Sequence, residues 1–213
     1  MNFIDKKIMD YVINNSEDEP ELLKELSKET YQKILQPRML SGHPQGRLLS
    51  LLSKMIRPKR ILEIGTYTGY GTICLAEGLA DTGKIITIDI NEELIDFQNK
   101  YFERSGYRDK IIQLNGEALD VIDGLNEKFD IVFLDADKEN YIEYYKLISN
   151  KMVNGGILIS DNVLWSGKVL ESSKLDDIET NTLNQFNQLI KDDKRFETII
   201  IPIRDGISIS RLI

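Results

Sequence analysis

One cysteine, one histidine and a shortage of positive charge set the first limits on this 213-residue chain. With Cys74 as the sole cysteine, neither a disulfide framework nor a thiolate metal cluster can form within it. Lys and Arg total 27 against 35 Asp and Glu, a formal charge of −8. That balance argues against a broad nucleic-acid surface, though it leaves room for a local basic patch. No long apolar run is present, and the opening MNFIDKKIMDYV alternates charge with bulk instead of forming a signal peptide. The expectation is a soluble, cytoplasmic protein with no membrane partner. Internal repeats and low-complexity stretches are also missing. What is there, 41% hydrophobic residues, is enough for one well-filled domain.

That domain is expected over 1–213, with a helical region at 1–57 and an α/β core at 58–213. Ile4, Ile8, Tyr11 and Val12 share one helical face, as do Leu22, Leu23 and Leu26, with a break at Ser16–Pro20 between them. Leu48, Leu49, Leu51, Leu52 and Met55 form a third stripe, which Pro58 ends. The stretch 36–46, rich in Pro and Gly, reads as a loop, and 55–60 as a basic loop entering a strand. From Arg60 strand and helix alternate. Strands at 61–65, 84–90, 110–116, 129–135 and 156–162 precede helices near 70–80, 92–105, 117–125, 139–152 and 178–192. This predicts a doubly wound, Rossmann-like, mostly parallel sheet. Asp205-Gly206 between two β-type runs is a hairpin signal, so a seventh, antiparallel strand is expected to close the sheet at its edge.

Two of these strands stop at acids: FDIVFLDADK (129–138) at Asp135, and GGILISDN (155–162) at Asp161-Asn162. In parallel sheets ligands sit beyond the carboxyl ends of the strands, and neighbouring strands lie about 5 Å apart. Three oxygen donors can therefore converge there, a set suited to Mg²⁺ or a similar hard cation. Lys138, one turn on, would stand beside it. The first βα turn reads Glu63-Ile64-Gly65-Thr66-Tyr67-Thr68-Gly69-Tyr70-Gly71. It is not the G-x-G-x-x-G of dinucleotide folds, and its Glu63 would repel a diphosphate. A cationic ligand with an amino group and a sulfonium, such as S-adenosylmethionine, suits it better. Asp89, ending the second strand, can accept ribose hydroxyls of either cofactor type. The bland alternatives are a tight βα turn without a ligand, and helix capping by the strand-end acids, a role Asp137 and Asn140 could fill as well.

Together, ILEIGTYTGYG, IDI, FLDADKENY, ISDNVLWSGKV and DGISISRL resemble the cation-dependent O-methyltransferases, the family of caffeoyl-CoA and catechol O-methyltransferases. The resemblance runs from Met39 onward, and LWSGKV is similar to the caffeoyl-CoA-type and related bacterial branch. It implies Asp135, Asp161 and Asn162 as ligands of Mg²⁺, or of another divalent cation such as Mn²⁺ or Ca²⁺. It implies Lys138 and Asp135 as catalytic, Lys138 either taking the acceptor's proton or stabilising its oxyanion. Contacts to S-adenosylmethionine are implied for Ser41, Glu63, Gly65, Thr66, Gly71, Asp89, Ala118 and Asp135. Lys138, Trp165 and Ser166 would line the acceptor pocket. The acceptor implied is a small phenol or catechol, with a hydroxylated uridine in tRNA as the alternative, and the assembly a homodimer. Two departures stand out: Gly71 replaces the family's usual Ser, and Ile199 falls where catechol enzymes carry an acid. An NAD-dependent oxidoreductase is disfavoured by the loop, and a binding-only relative by the intact acid set. His43 is read as a surface or lid residue, Cys74 as packing, Tyr141, Tyr144 and Tyr145 as core or dimer contacts, and 17–33 as a solvated face.

Overall fold

The structure, a computed structural model, describes residues 4–171 and 176–213. Strands β1 (Arg60–Ile64), β2 (Lys84–Asp89), β3 (Ile111–Asn115), β4 (Phe129–Leu134), β5 (Met152–Ser160), β6 (Phe196–Ile201) and β7 (Ile207–Leu212) form one sheet. Helices α1 (Lys6–Asn14), α2 (Glu21–Lys33) and α3 (Gly42–Ile56) precede it. The helices α4 (Tyr70–Ala76), α5 (Ile95–Ser105), α6 (Ala118–Gly124), α7 (Tyr141–Ile148) and α8 (Ile178–Asp192) connect its strands.

The period-two alternation of each strand sorts its side chains onto two faces. Leu62, Ile64, Ile86, Ile88, Val132, Leu134 and Leu158 face α7 and α8, where they meet Tyr141, Tyr144, Tyr145 and Phe186. Ile61, Ile85, Ile131, Phe133 and Ile159 face the layer of α2, α3, α4 and α5. The three tyrosines of α7 are thus core residues. Full burial of such a side chain contributes about 1.5–3 kcal/mol, so both faces stabilise the sheet.

Strand order is β3-β2-β1-β4-β5-β7-β6, with β7 antiparallel to both neighbours and the other adjacent pairs parallel. The antiparallel C-terminal strand is present, but it lies one place inside the edge. β7 folds back from β6 and inserts beside β5, and ISISRL is accordingly the more buried of the two strands.

Three further expectations need correction. Residues 36–46 are not a loop: a 3₁₀ turn covers Pro37–Met39, and α3 begins at Gly42. Pro44 is tolerated because first-turn N–H groups lack intrahelical partners anyway. The basic stretch 55–60 is mostly the end of α3 and the start of β1, leaving a short link at Arg57–Lys59. The 17–33 face is not simply solvated. Glu25 pairs with Arg104, and Glu29 accepts from Lys100, Lys33 and Tyr101, which pull its carboxyl down to about 2. These bonds tie α2 to α5. No helix among the described residues is long and apolar enough to cross a membrane.

Candidate functional site

Chain progression reverses between β1 and β4: from β1 it runs outward to β2 and β3, from β4 outward to β5. A crevice at the carboxyl ends follows from that reversal. Hydrogen bonding continues one residue past each strand here, through Gly65 N–H to Ile88 O (2.9 Å), Asp135 N–H to Ile64 O (2.9 Å) and Asp161 N–H to Leu134 O (3.0 Å). Both acids are therefore held in the sheet's register. Gly65 sits at φ +99, and a Cβ there would lie 1.9 Å from the Asp135 carbonyl oxygen. Only glycine lets the turn cross the end of β4.

A cleft opens beside this crossing, lined by Ser41, Glu63, Gly65, Thr66, Gly71 and Asp135, all expected at the cofactor. Met39 and Leu40 close it from the α2–α3 connection. Asp89 and Ala118 do not line this cleft. The Asp89 carboxylate accepts from Tyr67 N–H (2.6 Å) and Asn91 N–H (2.9 Å), while Ala118 opens α6 and packs on the apolar cluster. They flank the cleft along the β2–β3 ends, where Asp89 pairs in register with Asn115.

Glu63 is the buried centre of the cleft. It points to the same sheet face as Ile61, because it lies two residues along β1. Its Oε2 accepts from Thr72 (2.5 Å) and Thr87 (2.6 Å). Oε1 faces Gly71, where an added Cβ would stand 2.7 Å from it and 3.3 Å from Phe133. The glycine at 71, unusual for the resembled family, thus makes room for a carboxyl oxygen. Burial, assisted by Asp135 and Asp89 and opposed by the Thr72 and Thr87 bonds, raises the Glu63 pKa to about 8. The folded state then binds this proton more tightly than the unfolded chain, where the value is 4.5, so stability is lost as pH rises between the two. Glu63→Gln removes that titration. Between pH 5 and 8.5, wild type is expected to lose a few kcal/mol more than the variant, at about 1.4 kcal/mol per pKa unit. Chemical denaturation of both across this range is the check; parallel stability curves would contradict it.

At the ends of β4 and β5, Lys138 Nζ donates to Asp135 Oδ1 (3.1 Å) and to the Tyr141 hydroxyl (2.9 Å). Tyr141 donates onward to the Asp161 carbonyl (2.9 Å). Asp161 Oδ2 accepts from Gln45 (2.6 Å) and Oδ1 from Asn162 N–H (2.7 Å). Burial disfavours the Lys138 ammonium, but Tyr141, Asp135 and Asp161 outweigh it and raise its pKa. Burial first, and then Asp135, hold the Asp161 carboxyl above the usual carboxylate range. The buried Asp161 and the half-buried Asp135 share one lysine's charge, so a cation between them would relieve the repulsion. Among the described residues no cluster of three or more His, Cys, Asp or Glu is arranged for a metal. The third donor would be the Asn162 amide, at φ +58, a conformation asparagine tolerates. Two carboxylates, one amide and open positions for other oxygens fit a small hard cation.

Asp137 and Asn140 do not cap a helix through their side chains; Asp137 accepts from Tyr144 (2.6 Å) and Asn140 (2.5 Å). Trp165 packs against the α7–α8 core cluster, with its indole N–H buried and unpartnered, while Ser166 is exposed. Ile199 lies on the edge strand, 61% exposed, and puts nothing into the crevice. His43 is half-buried and bonds to the Glu17 carbonyl (2.7 Å). Cys74 is buried, its thiol pushed up to about 12, as packing requires. Gln45, Thr72 and Thr87 escaped the sequence reading. The one signal for Gln45 was a polar residue on the buried stripe of a helix misread as loop.

A family model described as O-methyltransferase matches residues 13–213. Caffeoyl-CoA O-methyltransferase of Petroselinum crispum is 35% identical over 206 residues, covering 92% of this chain and 85% of the relative. Its counterpart in Pinus taeda is 36% identical over 213 residues, covering 91% and 78%. Among solved structures, the O-methyltransferase from Bacillus cereus in complex with SAH superposes with a TM-score of 0.89 at 28% identity, covering 97% of each chain. TomG of Streptomyces achromogenes, an O-methyltransferase in complex with SAM, gives 0.88 at 26%, covering 97% and 96%. With the match spanning nearly the whole chain and the strand-end acids meeting in one crevice, this chain belongs to the O-methyltransferase family.

Proposed function

We propose that the protein transfers a methyl group from S-adenosylmethionine to a hydroxyl of a small phenol or catechol, with a divalent cation bound at the strand-end acids. The observation that carries this reading is the position of Asp135, which lines the cofactor cleft and also faces Lys138 beside Asp161. When bound, S-adenosylmethionine supplies an electrophilic methyl group, and the cation supplies charge that lowers the pKa of a hydroxyl beside it. A phenol of pKa about 10 needs that help at neutral pH.

Asp135, Asp161 and Asn162 would hold the cation. Glu63 and Asp135 offer carboxyl oxygens toward the amino end of the methyl donor, and Gly65 lets the donor approach backbone. Lys138 keeps a positive charge at Nζ next to the acceptor oxygen, which favours the oxyanion-stabilising role over that of a base. Trp165 and Ser166 belong to the loop that would shape the acceptor side. Most of the acceleration comes from holding acceptor and donor in line. A cytoplasmic homodimer completes the reading; the exposed Ile8, Tyr11 and Val12 of α1 support a protein partner.

The test is transfer from labelled S-adenosylmethionine to a catechol panel and to bulk tRNA, with and without EDTA. Labelled catechols and their loss in EDTA are expected. Full activity in EDTA would remove the cation from the mechanism. Label in tRNA alone would install the hydroxylated-uridine alternative, which gains nothing from the relatives described above.

A further inference from the structure

We propose that Arg204, in the turn between β6 and β7, is a positioning residue that fixes one wall of the methyl-donor cleft. The inference rests on the donor reading above and adds a residue remote in sequence from every part of the cleft. Its guanidinium donates to the Leu40 carbonyl (2.7 Å), to the Ser41 carbonyl, and to the Arg38 carbonyl (3.3 Å). Leu40 and Ser41 line the cleft opposite Gly65 and Thr66. The other end of the same segment is held by the donor loop itself: Tyr67 donates its hydroxyl to the Leu35 (3.1 Å) and Gln36 (3.3 Å) carbonyls. The α2–α3 connection is thus pinned at both ends, and Arg204 supplies the charged pin.

The geometry of Arg204 separates this duty from ordinary structural support. Its backbone stands at φ +50, a left-handed conformation that glycine adopts without cost and arginine does not. If the position served only the turn, glycine would serve it better. The strain is offset by three hydrogen bonds to backbone carbonyls of the α2–α3 connection. The neighbouring residue ties down the acceptor side of the crevice. The Asp205 carbonyl accepts from Leu164 N–H (2.9 Å), and its side chain accepts from Ser166 N–H. One turn therefore holds the donor wall through Arg204 and the loop after Asp161 through Asp205.

Arg204→Gly is the informative substitution, because it relieves the turn and removes the pin. SAH affinity measured by calorimetry is expected to fall at least about tenfold, the cost of one charge-assisted hydrogen bond. The Tm of the unliganded protein should stay level, because relief of the strained turn balances the lost bonds. Arg204→Lys, which keeps a donor, should recover part of the affinity. Trypsin supplies a second readout: SAH should protect the Arg38–Met39 bond in wild type and fail to do so in Arg204→Gly. Unchanged affinity and protection in Arg204→Gly would overturn the proposal. So would a parallel fall of Tm and affinity that Arg204→Lys does not rescue, since that pattern belongs to a structural role. If wild type itself binds no SAH, the donor reading fails first, and the assignment of Arg204 falls with it.

Discussion

Asp161→Ala is expected to lower methyl-transfer turnover by about 10³-fold or more while leaving SAH affinity within about threefold of wild type. Both numbers follow from where Asp161 sits. It ends β5, one strand beyond Asp135, and does not line the donor cleft. Its carboxylate oxygens serve Gln45 and the Asn162 backbone N–H, not the glycine loop. Removing it takes one of two carboxylates from the proposed cation set, and it leaves Gln45 Nε2 without a partner in a buried position. The second effect costs about 1–3 kcal/mol of stability. It is partly offset by removal of a buried charge that Asp135 opposes. The variant should therefore fold. Turnover on a catechol and SAH binding by calorimetry, both on the same preparation, decide the matter. Equal losses in the two would contradict the division between donor cleft and acid pair.

Lys138→Met is the second large effect, an expected loss of about 10²–10⁴ in turnover on an ordinary catechol. Lys138 is 6% exposed and spans Asp135 and Tyr141, so its stem packs where methionine also fits. What methionine cannot supply is positive charge at the proposed acceptor position. The loss should shrink with a strongly acidic catechol, which is already ionised at neutral pH and needs less electrostatic help. A loss of the same size on both acceptors would mean that Lys138 only supports the fold around Asp135. The Tyr141 bond to the Asp161 carbonyl survives the substitution, and it should keep the β5 end in place.

The parts of this site that were legible beforehand are those written in consecutive residues. Apolar runs that end in an acid announce their own geometry, because alternation buries the strand and the carboxyl end faces the crevice. Gly65 was legible for the same reason: a glycine just past a strand marks a close approach. The start of α3 was not, since Pro37, Gly42, Pro44 and Gly46 look like loop until tertiary contacts bury Gln45, Gly46, Leu49 and Ser50 on one face. Local propensity lost there to packing. The place of β7 was hidden as well, because a hairpin signal tells that two strands pair and not which of them reaches the rest of the sheet.

By itself the sequence determined the alternation of strands and helices, the acids at the ends of β4 and β5, and the turn that follows β1. These are local patterns of period two and 3.6, fixed by side-chain direction along the backbone. Only the tertiary structure decided which of them meet. It set Thr72 and Thr87 on Glu63, Gln45 on Asp161 across 116 residues, and Arg204 on Ser41 across 163. Such contacts join segments whose separation leaves no periodic trace. They exist because a sheet that reverses its winding between β1 and β4 brings the strand ends, the α2–α3 connection and the last turn of the chain to one crevice.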